Sequence, residues 1–219
     1  MSVTHHIKTI IKELQGTKLV CVTKTIDTER INESIRAGST IIGESRVQEF
    51  EDKCEELLPC EKHFIGHLQT NKVKKAVQFF DLIQSVDSLK LIQDIDRKAK
   101  NIDKVQKVFL QVNIGNEPQK YGFGLDEIEV AISEIRLLKN VQVEGLMCIP
   151  PFVSPGETRS YFKRMKMLFD KLKQENSGNR DNINIKELSM GMSGDYKIAI
   201  EEGATMVRVG SAIFGDRKC

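Results

Sequence analysis

Residues 188–215 read LSMGMSGDYKIAIEEGATMVRVGSAIFG and contain two strand-to-helix junctions in succession. A short apolar strand leads into Gly191, Ser193, Gly194 and Asp195, and a periodic helix follows over 196–202. Gly203-Ala204-Thr205 turns the chain back into a second strand, Met206-Val-Arg-Val-Gly210, which runs on into Ser211-Ala-Ile-Phe-Gly215. Strands separated by helices call for a parallel sheet, because each helix returns the chain to the starting edge. Free backbone N–H groups and the positive end of the helix dipole meet at each such junction, and glycine lets an anion come close to the backbone. With Ser193 and Ser211 as hydroxyl donors, the two junctions form a candidate cradle for a phosphate. A pair of ordinary tight turns is the alternative.

The same alternation extends through the chain. Ile7, Ile10, Ile11 and Leu14 fall at i, i+3, i+4, i+7 and mark an amphipathic first helix, not a signal peptide or membrane span. A buried strand is expected over 18–24, then a helix capped by Asp27, carrying Ile31 and Ile35 and stopped by Gly38. A short strand over 40–42 precedes a helix through Val47, Phe50 and Cys54. Further strands are expected over 62–65, 81–84, 107–113, 141–147, 185–188 and 205–209, with helices over 69–79, 88–101, 126–138 and 158–174. The 158–174 helix has the clearest stripe: Tyr161, Phe162, Met165, Leu168, Phe169 and Leu172. Eight strands, each followed by a helix, predict an α/β fold: a (β/α)8 TIM-type barrel with an extra N-terminal helix, a single domain over 1–219. An open doubly wound sheet is the alternative, and the GxGxxG run that would favour it is absent. In a barrel the loops after strands share the C-terminal face, where sites are built: 24–27, 43–45, 66–69, 85–87, 114–124, 148–156, 189–195 and 210–211. The polar loop 175–184 follows a helix and falls on the opposite face, with a composition that solvent exposure explains.

Composition narrows the class. Thirty-three basic residues against 31 acidic ones give +2, so no strong field draws the chain to nucleic acid or membrane. Three Tyr and no Trp argue against an aromatic stacking surface. Five scattered cysteines (Cys21, Cys54, Cys60, Cys148, Cys219) with no CxxC read as free thiols in a reducing, cytoplasmic compartment.

Two charged residues stand out on otherwise apolar strands. Lys24 ends the strand Leu19-Val-Cys-Val-Thr23 on the face of Val20 and Val22. If those valines line a barrel, its ammonium reaches the mouth, where desolvation and cationic neighbours favour a nucleophile toward an aldehyde. A lysine snorkelling at a strand end is the other reading. Arg208 shares a face with Met206 and Gly210; it points either into the barrel, where it needs an acceptor, or outward to a helix carboxylate. A lysine for an aldehyde, a cradle for a phosphate and a polar group for a ring nitrogen together fit pyridoxal 5′-phosphate (PLP).

These residues also carry a family resemblance. Val22-Thr-Lys24, Gly43-Glu-Ser-Arg-Val-Gln-Glu49, His63-Phe-Ile-Gly-His-Leu-Gln-Thr-Asn-Lys72, Lys120-Tyr-Gly122, Gly145-Leu-Met147, Leu188-Ser-Met-Gly-Met-Ser193 and Arg208-Val-Gly-Ser-Ala-Ile-Phe-Gly215 resemble the pyridoxal phosphate homeostasis proteins, single-domain relatives of the alanine racemase barrel. The resemblance runs in order from about Lys18 to Gly215. It implies a Schiff base at Lys24, phosphate contacts from Ser193 and from the backbone at Gly210 and Ser211, and Arg208 facing the pyridine nitrogen. It further implies a cytoplasmic protein that binds PLP and passes it to PLP-dependent apoenzymes without established turnover, and we expect a monomer. Ser45 departs from the pattern, standing where the family usually carries Asn.

Other features are weaker. His63 and His67 flank Phe64-Ile-Gly66, but a strand and a loop do not give the helical spacing a metal would use. The basic run 71–75 reads as a solvated helix face, not an RNA site. Lys120 and Tyr121 belong to a glycine-bearing loop that is a lid or a plain turn, Pro150-Pro151 and Pro155-Gly156 stiffen the next loop, and Cys148 reads as an inert strand-end thiol. Against the carrier stands an amino-acid racemase or related PLP enzyme. That chemistry needs a second base, which alanine racemase takes from a β-domain; the sequence ends four residues after Gly215, so that domain is expected to be absent. Tyr121 and Tyr196 are the tyrosines placed to approach the site. A phosphate-binding barrel acting on sugar phosphates is a third option, one that leaves Lys24 and Arg208 without paired roles.

Overall fold

A computed structural model describes residues 2–178 and 182–215; Cys219 and positions 179–181 of the polar loop lie outside them. The chain opens on α1 (Val3–Glu13), then alternates β1 (Lys18–Val22), α2 (Thr28–Arg36), β2 (Ile41–Glu44), α3 (Val47–Glu51), β3 (Glu61–Phe64), α4 (Val73–Phe79), β4 (Leu82–Val86) and α5 (Leu89–Lys100). It continues with β5 (Gln106–Val112), α6 (Ile128–Ile135), β6 (Val141–Cys148), α7 (Pro155–Glu175), β7 (Ile183–Ser189), α8 (Tyr196–Glu201), β8 (Met206–Val209) and α9 (Ser211–Phe214). The eight strands are parallel and in chain order, and β8 pairs with β1 to close the ring, with Val20 opposite Arg208. The expected (β/α)8 barrel with an extra N-terminal helix is the observed one, and the open sheet is not.

Closure divides each strand by parity. Val20, Ile41, Leu82, Phe109, Met147 and Met206 fill the ring as one apolar cluster. Their sequence neighbours Cys21, Ile42, Ile83, Leu110 and Val207 face the helices in a larger outer core. Gly43 marks how tightly the inner layer is filled: a Cβ there would lie 2.6 Å from Val20 Cγ1. On α7 the stripe Phe162, Met165, Phe169 and Leu172 is buried as its spacing predicts. That helix starts three residues earlier than periodicity suggested. Pro155 occupies its first turn, and the Glu157 carboxylate accepts the Ser154 N–H and hydroxyl at 3.1 and 2.6 Å.

Three local expectations are corrected. Ile11 was placed on the buried face of α1, but it is 40 % exposed, because Val3, Ile7, Ile10 and Leu14 already fill the contact. Gly43 and Glu44 belong to β2 and not to a loop, since β2 extends to pair Glu44 with Phe64 of β3. The polar loop before β7 is more than solvated chain. Asn176 is buried, and the Asn182 amide donates to Ile135 O and Leu138 O at 2.8 and 3.0 Å, binding carbonyls at and just past the end of α6.

Gly191 shows why the 188–215 stretch needs its glycines. Its φ is +90°, and an added Cβ would sit 2.5 Å from Ala199 Cβ on α8. An alanine in left-handed backbone costs about 1–2 kcal/mol and overpacking a core about 1–3 kcal/mol. Gly191→Ala should therefore lower unfolding free energy by roughly 2–5 kcal/mol in a urea titration. A change below about 0.5 kcal/mol, the level of a neutral surface substitution, would contradict this account of the junction.

Candidate cofactor site at the mouth of the barrel

The residues singled out from sequence meet at the C-terminal mouth of the ring. Lys24, Ser193, Arg208, Gly210 and Ser211 all line one cavity of 490 Å³, together with Val22, Ser45 and Ile149. That volume suits a small cofactor. Lys24 lies just past β1, in a turn closed by Ile26 N–H donating to Thr23 O at 3.1 Å. Thr25, next to it, takes a φ of +63°, an uncommon conformation for a β-branched residue.

Opposite Lys24, the second junction behaves as a cluster of donors. The N–H groups of Gly210 and Ala212 both donate to Ser193 Oγ, at 3.2 and 3.3 Å. Backbone amides from the start of α9 thus converge with a hydroxyl on one point of the cavity wall, as an anion site requires. Sequence reasoning named Gly210 and Ser211. Both line the cavity, and a further amide, that of Ala212, also reaches Ser193. The preceding junction is closed by the Asp195 carboxylate, which accepts the Met192 N–H at 2.6 Å.

Arg208 points inward and is 3 % exposed. It donates to Ser189 Oγ and Cys148 O, both at 2.8 Å. Burial lowers its pKa, yet a guanidinium remains a cation and a donor. Behind it runs a file of hydrogen bonds through the barrel. Ser189 Oγ donates to Gln84 Oε1 at 2.6 Å, Gln84 Nε2 to His63 Nδ1 at 2.8 Å, and His63 Nε2 to Glu61 Oε1 at 2.9 Å. This polarity assigns His63 the Nε2–H tautomer, and that bond holds the Glu61 carboxyl below its usual range. Ser189, Gln84 and His63 as a connected set were missed from sequence. The legible signal was a polar residue, Ser189, His63 and Gln84, on each of three strands.

A second cavity of 590 Å³ adjoins the first across Lys24 and is lined by Arg46, Glu49, His67 and Tyr121. His67 Nδ1 lies 3.1 Å from Asp87 Oδ2, and its ring stacks on Tyr121 at 3.7 Å between centroids and 12° between planes. The loop bearing Tyr121 is tied to the proline-rich one by Lys120 Nζ donating to Pro150 O at 3.1 Å. Tyr196 does not approach the site. Its hydroxyl donates to Glu13 on α1, and burial together with that carboxylate pushes its pKa up to about 12. Burial likewise pushes the Cys148 thiol up to about 12, which keeps it an unreactive thiol. His63 and His67 serve different partners, and among the described residues no group of three or more His, Cys, Asp or Glu is placed to hold a metal. Among the same residues no helix is long and apolar enough to cross a membrane.

Comparison with known proteins agrees with this fold. The family described as alanine racemase, N-terminal domain, matches residues 2–218. A pyridoxal phosphate homeostasis protein of Aquifex aeolicus is 43 % identical over 92 % of this chain and 87 % of its own length. A protein of the same name from Synechocystis is 40 % identical over 91 % of each. Among solved structures, PipY of Synechococcus elongatus with PLP bound superposes with a TM-score of 0.89 at 33 % identity, covering 98 % of this chain and 100 % of PipY. An alanine racemase of Clostridium difficile shares the fold at a TM-score of 0.77 and 20 % identity, over 99 % of this chain and 60 % of the racemase. With its closed eight-stranded barrel and a match over nearly its whole length, the chain belongs to the pyridoxal phosphate homeostasis proteins of the alanine racemase N-terminal domain family.

Proposed function

We propose that this protein holds PLP as a Schiff base on Lys24 and keeps it available to PLP-dependent apoenzymes, as a cytoplasmic monomer without efficient turnover of its own. The observation that carries this reading is the shared cavity. A primary amine, a converging set of amide and hydroxyl donors, and a buried guanidinium line one 490 Å³ space. The PLP bound to PipY and the names of the close relatives support it. When bound, PLP supplies an aldehyde for imine formation and an electron sink for carbanions. Ser193 and the backbone at Gly210 and Ser211 hold the phosphate, and Lys24 takes the aldehyde. Arg208 offers a hydrogen bond to the ring nitrogen. As a permanent donor it cannot accept a proton from that nitrogen, so it disfavours the protonated ring on which strong carbanion stabilisation depends. Ser45 lines the cavity with a side chain shorter than the family's usual Asn.

A second reading, an amino-acid racemase or related enzyme, draws on the other cavity. His67, paired with Asp87 and stacked on Tyr121, is a candidate second base beside Lys24. The two readings part on α-proton exchange. With loaded protein in deuterated water, L- and D-alanine and a wider amino-acid panel should exchange far more slowly than the roughly 1–10³ per second typical of enzymes. Exchange within that range would replace the carrier by the enzyme.

Purified protein given PLP should absorb in the visible as a lysine Schiff base, and borohydride should fix the cofactor to Lys24. A peptide map that places the adduct on another lysine sinks the assignment. Lys24→Ala should lose the covalent band but retain cofactor through the phosphate contacts. Ser193→Ala should weaken binding by roughly tenfold, the worth of one hydrogen bond to a charged group at about 1.5 kcal/mol, with the visible band preserved. If pyridoxal without its phosphate binds as tightly as PLP, the cradle has no role.

A further inference from the structure

The turn that presents Lys24 is held from behind by charged side chains that the cofactor cavity does not use. Lys53, just past α3, is 8 % exposed. Its Nζ lies 2.7 Å from Glu44 Oε1 and 3.1 Å from Glu49 Oε1, and it donates to Thr23 O at 3.1 Å and Ile26 O at 3.5 Å. Those carbonyls belong to the first and last residues of the turn whose middle residues are Lys24 and Thr25. Glu49 also accepts the Thr25 N–H, and Glu44 accepts the Thr23 hydroxyl at 2.6 Å. Thr23, Thr25 and Ile26 are thus each tied to one buried ionic cluster.

We propose that Lys53, with Glu44 and Glu49, is a positioning residue for Lys24, holding the Thr23-to-Ile26 turn in a strained form that aims the Lys24 amine across the cavity. The strain is visible at Thr25, whose +63° φ favours glycine and is rare for a β-branched side chain. Backbone of this kind persists only where its surroundings over-determine it. An ammonium with three donors facing two carbonyls and two carboxylates supplies that constraint from one point. Glu44 has no exposure and its Oε2 has no hydrogen-bond partner among the described residues, so its binding is spent on Lys53 and Thr23. Burial pushes the Glu44 carboxyl above its usual range, and the Lys53 charge is the largest influence opposing this. A buried ion pair is weak evidence for stability alone. Its contacts with the carbonyls on both sides of Lys24 are what give it a role at the site.

The proposal rests on the Schiff-base reading, and its test separates the two. Covalent capture of PLP is timed by borohydride quenching and peptide mapping, and equilibrium binding of 4′-deoxypyridoxine phosphate, which lacks the aldehyde, is measured beside it. Lys53→Met should slow capture on Lys24 by about tenfold or more, the scale of released backbone strain, while the analogue binds within about twofold of wild type. Adding Thr25→Gly, which adopts the same φ freely, should restore most of the rate. Unchanged capture in Lys53→Met, equal loss of analogue binding, or no recovery with Thr25→Gly each overturns the clamp. If Lys53→Met does not fold, Glu49→Ala removes the Thr25 N–H acceptor at a less buried position and should slow capture in the same way; an unaltered rate there rejects the proposal. Wild-type protein that captures no PLP on Lys24 overturns the Schiff-base reading and the clamp with it, whereas normal wild-type capture with equally fast Lys53→Met capture removes only the clamp.

Discussion

Pairing of β8 with β1 is the constraint on which the rest depends. It sets Val20 opposite Arg208 and turns an open sheet into a ring with a fixed interior. In a closed ring, alternate side chains of every strand must go inside, and the strands end at a common mouth. Lys24 and Arg208, far apart in sequence, therefore line the same cavity. Without closure, Lys24 would sit at a strand end with no counterpart, and the second junction would be an isolated turn.

The interior that closure creates is only partly apolar. One half is filled by Val20, Ile41, Leu82, Phe109, Met147 and Met206. The other carries a guanidinium, which in a dry interior costs several kcal/mol unless its donors are met. The file from Arg208 through Ser189, Gln84 and His63 to Glu61, with the Cys148 carbonyl beside it, meets part of that demand. A cation at the mouth is thus joined to a carboxylate at the far end of the ring by neutral groups in one orientation, an arrangement that polarises each bond in the same sense. It holds Arg208 at the mouth and leaves the rest of its hydrogen-bonding capacity toward the cavity.

The candidate anion end of the cavity follows a different logic. Its donors are backbone amides, whose placement is set by the chain path, and a hydroxyl that accepts from two of them. An anion arriving there competes with Ser193 Oγ for the same N–H groups, which moderates the net gain. The Lys24 end is built more rigidly, around a turn with one left-handed threonine and buried charges behind it.

Much of this was legible in the residues themselves. Short apolar runs and a helical period of 3.6 marked the repeats, because a barrel buries its strands on both faces and its helices on one. The spacing from Leu188 to Gly215 showed both junctions, since only glycine fits the +90° φ at Gly191 beside α8. Lys24 and Arg208 were conspicuous as charges on apolar strands. What sequence left open was direction and partnership. Whether Arg208 pointed in or out and whether Tyr196 approached the cavity were settled by where the ring placed each backbone. The partners of Lys53 come from β2, α3 and the Lys24 turn, and those of Gln84 from β3, β7 and β8. Local periodicity determines which elements form because its cause lies within a few residues; contacts between residues tens to more than a hundred positions apart exist only once the ring is closed, and the candidate site is made of such contacts.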